Sequence, residues 1–338
     1  MNTEAAVPAL GRDAGVAWHF GDPLGEQRRL TTGAGVIDRR NRDVVIVPGA
    51  DRLSWLHSIC SQHVSALADC DATEALVLSP HGHVEQHWQV TELGEQVWLD
   101  TEPGTAADVI DYLRKMQFLM RVDPTDVSAD WAVLSVVGPA APEVLARAGL
   151  PVPGAAGRAV ALPDGGFARG MPWPGSGAVD LIVPTGRADE LIATLETAGA
   201  HRAGLWAFEA LRVEARRPRL GLETDHRTIA HEVGWIGTAV HLNKGCYRGQ
   251  ETVARVQNLG SPPRRLVLLH FGGESDTLPE PGTPIVVDGR TVGFVGTAVH
   301  HFELGPIGLA VVKRKLPDGT ALQVGGSSAT IDAEQSPV

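Results

Sequence analysis

The stretch Trp131-Ala-Val-Leu-Ser-Val-Val137, closing on Gly138-Pro139, decides how the chain is organised. Seven uncharged residues rich in Val and ended by a Gly-Pro turn read as a buried strand. A helix follows through Glu143 to Arg147, then a strand over Ala178 to Val183 and a helix over Asp189 to Thr197. The same succession occurs upstream. Asp43-Val-Val-Ile-Val47 reads as a buried strand stopping at Pro48-Gly49, and a helix over Ala50 to Cys60 places Leu53, Leu56 and Cys60 on one face. Strands over Glu74–Leu78 and Val84–Val90, joined through Pro80-His81-Gly82, then a short one over Val97–Leu99, lead to a helix opened by Pro103 with Val109, Leu113 and Met116 in one stripe. Trp131 therefore begins a second run of a pattern already used once. Two related units of split strand–helix–strand connections make this an α+β protein.

Working outward, residues 1–24 lack periodicity and read as a loosely held arm, with 25–130 as the first unit and 131–260 as the second. Ser261-Pro262-Pro263 marks the start of a third region, 261–338. There the runs Arg265–Phe271, Pro284–Val287, Thr291–Val295 and Gly308–Val312 are separated by turn residues, with Asp288-Gly289 as a hairpin signal. A small β-barrel or sandwich is expected.

Composition narrows the function classes. No apolar run nears the ~20 residues needed to cross a bilayer, and Met1 to Leu10 has no secretory pattern, so no membrane role is expected. The 3 cysteines have no paired spacing, which suits a reducing cytoplasm. A net charge of −11 argues against direct nucleic-acid binding. Residues 205–265 nevertheless hold ten Lys/Arg against six Asp/Glu, a balance of +4, so the remainder carries −15. That local excess fits an anionic small ligand or an acidic partner.

Inside the basic region lies Asn243-Lys-Gly-Cys-Tyr-Arg-Gly-Gln-Glu-Thr252. Cys246 stands between two glycines with Lys244 and Arg248 beside it, and an expected helix from Gln250 to Asn258 follows at once. Nearby cations and helix amides favour thiolate over thiol. The segment is too polar for ordinary core, so a reactive cysteine is preferred to an inert one. A helix over Leu205 to Arg216 leads into this region.

These residues resemble a known family. Gly204-Leu-Trp-Ala-Phe-Glu-Ala-Leu-Arg-Val-Glu-Ala215 is similar to the Gly-Leu-x-Ala-x-Asp-x-x-Arg-x-Glu-Ala segment of the glycine-cleavage T-protein superfamily. Gly221, His231-Glu-Val-Gly-Trp235 and Lys244-Gly-Cys-Tyr-Arg-Gly-Gln-Glu251 continue it in order. The last resembles the signature of the YgfZ branch, folate-binding proteins of iron–sulfur cluster maintenance. The resemblance implies a T-protein-like three-domain ring, with the two split β-α-β units interleaved and a C-terminal β-barrel. It also implies tetrahydrofolate or a one-carbon derivative as ligand, and iron–sulfur client proteins as partners.

Carried over residue by residue, the resemblance makes Asp180 an acceptor for the pterin and keeps Arg212 and Glu214 of the pattern. Phe208 stands where T-proteins place an arginine, and Gln86, in Gly82-His-Val-Glu-Gln-His87, replaces the aspartate that assists one-carbon transfer. An amide cannot act as a general base, and Glu85 faces the other side of the strand. Thiol chemistry is expected instead, with Cys246 as the reactive group and Lys244 and Arg248 as its activators. Tyr247, Gln250 and Glu251 would position the loop and ligand, and Trp206 or Trp235 could stack on a flat ring. A folate-dependent one-carbon transferase or demethylase is the alternative, and turnover is left open. His81, His83, Glu85 and His87 could share a strand face, but the Pro80–Gly82 turn breaks the alternation and no metal is assigned. Cys60 reads as core, and Trp55, Trp88, Trp98 and Trp131 likewise.

Overall fold

The computed structural model describes residues 6–175, 177–273 and 277–333. The chain forms two compact units, each assembled from separated segments. One contains residues up to Ser58, Val64–Glu74 and Trp88–Leu211; the other contains Ile59–His63, Ala75–His87 and everything from Arg212.

The first unit is built on a six-stranded sheet in the order Ala159–Ala161, Phe167–Gly170, Val179–Pro184, Trp131–Val137, Gly35–Asp38, His201–Ala203. Trp131–Val137 lies inside it, as its uncharged sequence requires. Alternate side chains go to opposite faces, and both faces are covered. Ala132, Leu134 and Val136 pack with Val144, Leu145, Ile192 and Leu195 of the helices Ala141–Arg147 and Ala188–Thr197. Val133, with Ile182 and Phe167, packs against Val44 and Trp98. Gly35–Asp38 pairs antiparallel with Trp131–Val137 and parallel with His201–Ala203. Strands from the blocks 25–130 and 131–260 therefore share one sheet.

A five-stranded sheet has the order Ala72–Leu78, Val84–Leu93, Gln96–Thr101, Asp43–Pro48, Thr125–Asp126. The reading of 1–24 as a loose arm is corrected over its described part. Val7–Pro8 pairs with Ala17–His19, and Ala9 and Val16 are buried with Leu30, Ile37 and Phe208. Two small apolar residues, too few to show periodicity, supply that anchorage.

The second unit contains a closed six-stranded barrel, ordered Arg264–Phe271, Gly305–Lys313, Arg290–His301, Pro284–Val287, Leu322–Val324, Ser327–Ile331. Its interior holds Val267, Leu269, Ile285, Val295, Ala310, Val312 and Ile331. Asp288 and Gly289 both have positive φ, the conformation of a tight hairpin turn. Arg264, at the start of the barrel, donates to Asp225 (2.7 Å) and Glu232 (2.8 Å), tying in the segment that precedes the cysteine motif. Among the described residues no helix is long and apolar enough to cross a membrane.

Candidate active site and family

The cysteine motif folds as a loop running into the helix Gln250–Leu259. Gly249 caps that helix at φ 80°, and a Cβ there would lie 2.5 Å from Ser79 O and 2.9 Å from Gly82 Cα. Gly82 also has φ 80°, and its Cβ would meet Thr252 Cβ at 2.6 Å. The two glycines let the loop and the Ser79–His83 turn approach backbone to backbone, which no larger residue permits. Within the loop, Tyr247 N–H donates to Gln250 Oε1 and Gln250 N–H to Tyr247 O, both at 3.2 Å.

Lys244 holds the loop from below. It is buried, and its ammonium donates to Cys60 O at 2.5 Å and Gln62 O at 3.0 Å, over the Tyr247 ring. Other bonds fix the same short segment: Ser61 Oγ to Ala239 O (2.6 Å), Gln62 Nε2 to Thr238 O (2.6 Å), and His241 N–H to Ser61 O (3.0 Å). Burial lowers the pKa of Lys244 from its ordinary value, with the nearby Cys60 thiol opposing that shift. Burial raises the pKa of Cys60, so this thiol is core, as its apolar helix face implied. Tyr247 is also buried, and its phenol is pushed up to about 12.

Cys246 is exposed on this braced loop. Lys244 and Arg248, the expected activators, each have other partners. Lys244 is turned to the two carbonyls, and Arg248 donates to Glu85 at 2.9 Å. Lys–Gly–Cys spacing placed a cation near the thiol in sequence, but desolvation drew the ammonium toward buried acceptors. Glu251 is exposed and pairs with Arg255 one helical turn on (3.2 Å), so it faces solvent and leaves loop positioning to Gln250. Glu85 and Gln86 face opposite ways, Glu85 exposed and Gln86 buried. His87 is stacked on Trp235 with ring centroids 4.8 Å apart.

Arg212, retained from the family pattern, lies in the interior of the second unit. It is fully buried, paired with Glu223 at 3.2 Å, and donates to Thr297 Oγ1 and Arg217 O, both at 2.5 Å. Glu223 in turn accepts from Arg219 N–H and Thr297 N–H, both at 2.8 Å. This is a sealed structural pair.

Asp180 lies in the first unit inside a buried charge network. Its Oδ1 accepts from Ser135 Oγ (2.6 Å) and Arg39 (3.4 Å), and its Oδ2 from Arg169 (3.0 Å). Arg169 also reaches Asp100 (2.7 Å), which pairs with Arg42 (3.0 Å). Burial would raise the pKa of Asp100, but Arg169 and Arg42 bring it below the usual range. Both Asp180 oxygens therefore have protein donors. The three partners of Asp180 stand 11, 45 and 141 residues away, on separate strands or turns that no local pattern links. The Arg39 guanidinium lies 4.2 Å from the centroid of Phe208, the residue standing at the T-protein arginine position. Trp206 is half-buried, stacked on Trp18 with centroids 5.7 Å apart, so one face is already covered. Among the described residues, no group of three or more His, Cys, Asp or Glu is placed to hold a metal ion.

The geometry can be set beside known proteins. Residues 18–156 match the GCVT N-terminal domain, and 264–337 match the glycine cleavage T-protein C-terminal barrel domain. An aminomethyltransferase of Rubrobacter xylanophilus is 28% identical over 301 residues, covering 87% of this chain and 80% of that protein. One from Frankia alni is 29% identical over 325 residues, covering 89% and 84%. A putative chloroplastic transferase of Arabidopsis thaliana is 27% identical over 293 residues, covering 81% of this chain but only 65% of the plant protein. In structure, the glycine cleavage system aminomethyltransferase T of Bartonella henselae superposes with a TM-score of 0.86 at 19% identity, covering 98% of this chain and 94% of that one. Two domain matches in the same order, on a shared fold closed by a six-stranded barrel, place the chain in the aminomethyltransferase-like superfamily of the glycine cleavage T-protein.

Proposed function

We propose that the protein is a cytoplasmic tetrahydrofolate-binding member of the YgfZ branch that supports assembly or repair of iron–sulfur clusters in client enzymes. Cys246 is its reactive group. The observation that carries this reading is an exposed thiol on a loop braced at Lys244 and at Gly249, within a T-protein fold that has Gln86 where the transferase carboxylate would stand. A solvent-facing cysteine on a backbone built with such close tolerances suits presentation of a thiol to a ligand or another protein. The bracing makes Lys244 a positioning residue. Gln250 shapes the same loop, and Arg248, half-buried beside Glu85, is the cation available to an anionic ligand group. Three cysteines are too few for a resident cluster held by four thiolates, so any cluster belongs to the client.

The test has two arms. Tetrahydrofolate titrated into the protein is expected to give saturable heat, and Cys246→Ser is expected to abolish rescue of iron–sulfur enzyme activity in cells lacking the protein. Full rescue by Cys246→Ser would refute the role of the thiol.

A second reading, a folate-dependent one-carbon transferase or demethylase, is favoured by the similarity to aminomethyltransferases. Incubation with methylene- or methyl-donating amines and tetrahydrofolate separates the two: sustained turnover supports the transferase, binding without turnover the maintenance protein.

A further inference from the structure

The helix Ala106–Met116 is followed by Gln117 and then by Phe118, Leu119 and Met120, exposed to 84%, 97% and 44%. Three consecutive large apolar side chains in solvent are an uncommon arrangement. The loop is also built rather than slack. Phe118 has φ 45°, a conformation that a bulky L-residue adopts only under constraint. The constraints are visible on both sides. Gln117 Nε2 donates to Val122 O at 2.7 Å, Met120 N–H to Gln117 O at 3.0 Å, and Trp55 Nε1 to Met116 O at 2.8 Å. Arg121 is locked to Asp51 through its backbone N–H (2.8 Å) and both ends of its guanidinium (2.9 and 2.7 Å).

We propose that the Phe118-Leu119-Met120 tip is a docking knob for a partner protein that offers an apolar pocket rimmed with carboxylates. Three features select that occupant. First, Arg114 and Lys115 flank the knob and have no carboxylate partner among the described residues, although the chain as a whole carries −11. Free cations around an apolar anchor complement an acidic rim and steer encounter. Second, the N–H groups of Phe118 and Leu119 donate to no acceptor among the described residues. A lipid interior would leave them unpaired at a high cost, whereas a pocket rim supplies acceptors. Third, three side chains on a convex tip fall short of the roughly 800 Å² per partner of a stable interface. Two copies could not close on each other through the knob alone; it needs a concave receiver that adds its own contacts. Rigidity then favours binding, because the knob has little left to order. This inference does not rest on the folate reading.

The experiment places a photo-crosslinking residue at Leu119 of the full chain in cells, with Leu10, exposed to 84%, as control position. A protein captured at Leu119 and not at Leu10 is purified and titrated with wild type, Leu119→Asp and the double change Arg114→Glu/Lys115→Glu. The expected result is saturable binding that weakens at least about thirtyfold with Leu119→Asp, the scale of an anchor residue. The double charge reversal is expected to lower the association rate and its salt dependence. Both variants alter exposed side chains, so their melting curves should match wild type. Capture equal to that at Leu10, adducts to lipid or to a second copy, or equal affinity of Leu119→Asp would each overturn the proposal.

Discussion

Replacing Lys244 by methionine tests whether this side chain braces the loop or activates the thiol. Methionine keeps most of the length and apolar stem while deleting the ammonium. Two charged hydrogen bonds disappear, to Cys60 O at 2.5 Å and Gln62 O at 3.0 Å. At about 1.5–3 kcal/mol each, the gross loss is about 3–6 kcal/mol. Part is returned, because the buried ammonium is less comfortable than in water, as its lowered pKa records. Gln62 O also retains a thiol donor in Cys60 Sγ at 3.5 Å. A net destabilisation of about 2–4 kcal/mol follows from these opposing contributions. Denaturant unfolding followed by tryptophan fluorescence measures it, and in heat it corresponds to a midpoint about 3–6 °C lower for a chain of 338 residues. The thiol supplies the second readout. Peptide-resolved alkylation of Cys246 near neutral pH should change by less than about threefold, since Lys244 serves the carbonyls. An activating cation, once removed, would lower the thiolate fraction about tenfold or more. Unchanged stability together with a tenfold slower alkylation would refute the bracing role.

Gly249→Ala must adopt φ 80° with its methyl 2.5 Å from Ser79 O, so it should cost about 2–5 kcal/mol in the same unfolding assay. Arg212→Met leaves Glu223 charged and buried without its partner; a loss of about 3–5 kcal/mol in thermal unfolding is expected, with tetrahydrofolate affinity unchanged wherever the variant remains folded. Asp180→Asn removes one of the two carboxylates that Arg169 meets, leaving Asp100 in place, and weakens the Arg39 contact, so a loss of about 1.5–3 kcal/mol is expected in the same assay. In a Tyr112→Phe background Tyr247 is the remaining tyrosine, and ultraviolet titration should place its ionisation at about 12. Its folded value lies above the ordinary 10.0, so the folded chain keeps a proton that the unfolded chain releases, and stability falls as pH rises from about 10 towards 12.

How legible the molecule was in its sequence depended on the length and purity of each segment. Trp131–Val137 and Asp43–Pro48 announce themselves through runs dominated by apolar, β-branched residues, and the barrel through Asp288-Gly289 and its flanking strands. Gly35–Asp38, Ala159–Ala161 and His201–Ala203 are 3 or 4 residues long and are strands only because neighbours complete their hydrogen bonds. No local pattern can express that. The cysteine loop was recognisable from its glycines and charges, and Cys246 is exposed on it. The partners of its charged neighbours were not. Lys244 meets carbonyls 182 and 184 residues away in sequence, and Asp180 meets Arg39 across 141 residues. A charge beside a thiol in sequence therefore says little about electrostatics at the thiol, because a buried ammonium seeks the nearest acceptor set that replaces its water.

Calorimetric titration of tetrahydrofolate into the purified, reduced protein is the most direct measurement of the central proposal. Saturable heat with one ligand per chain, retained in Cys246→Ser and weakened in Arg248→Ala, is the expected result. Absence of any binding heat across the solubility range of the ligand would contradict it and leave the T-protein fold without its proposed ligand.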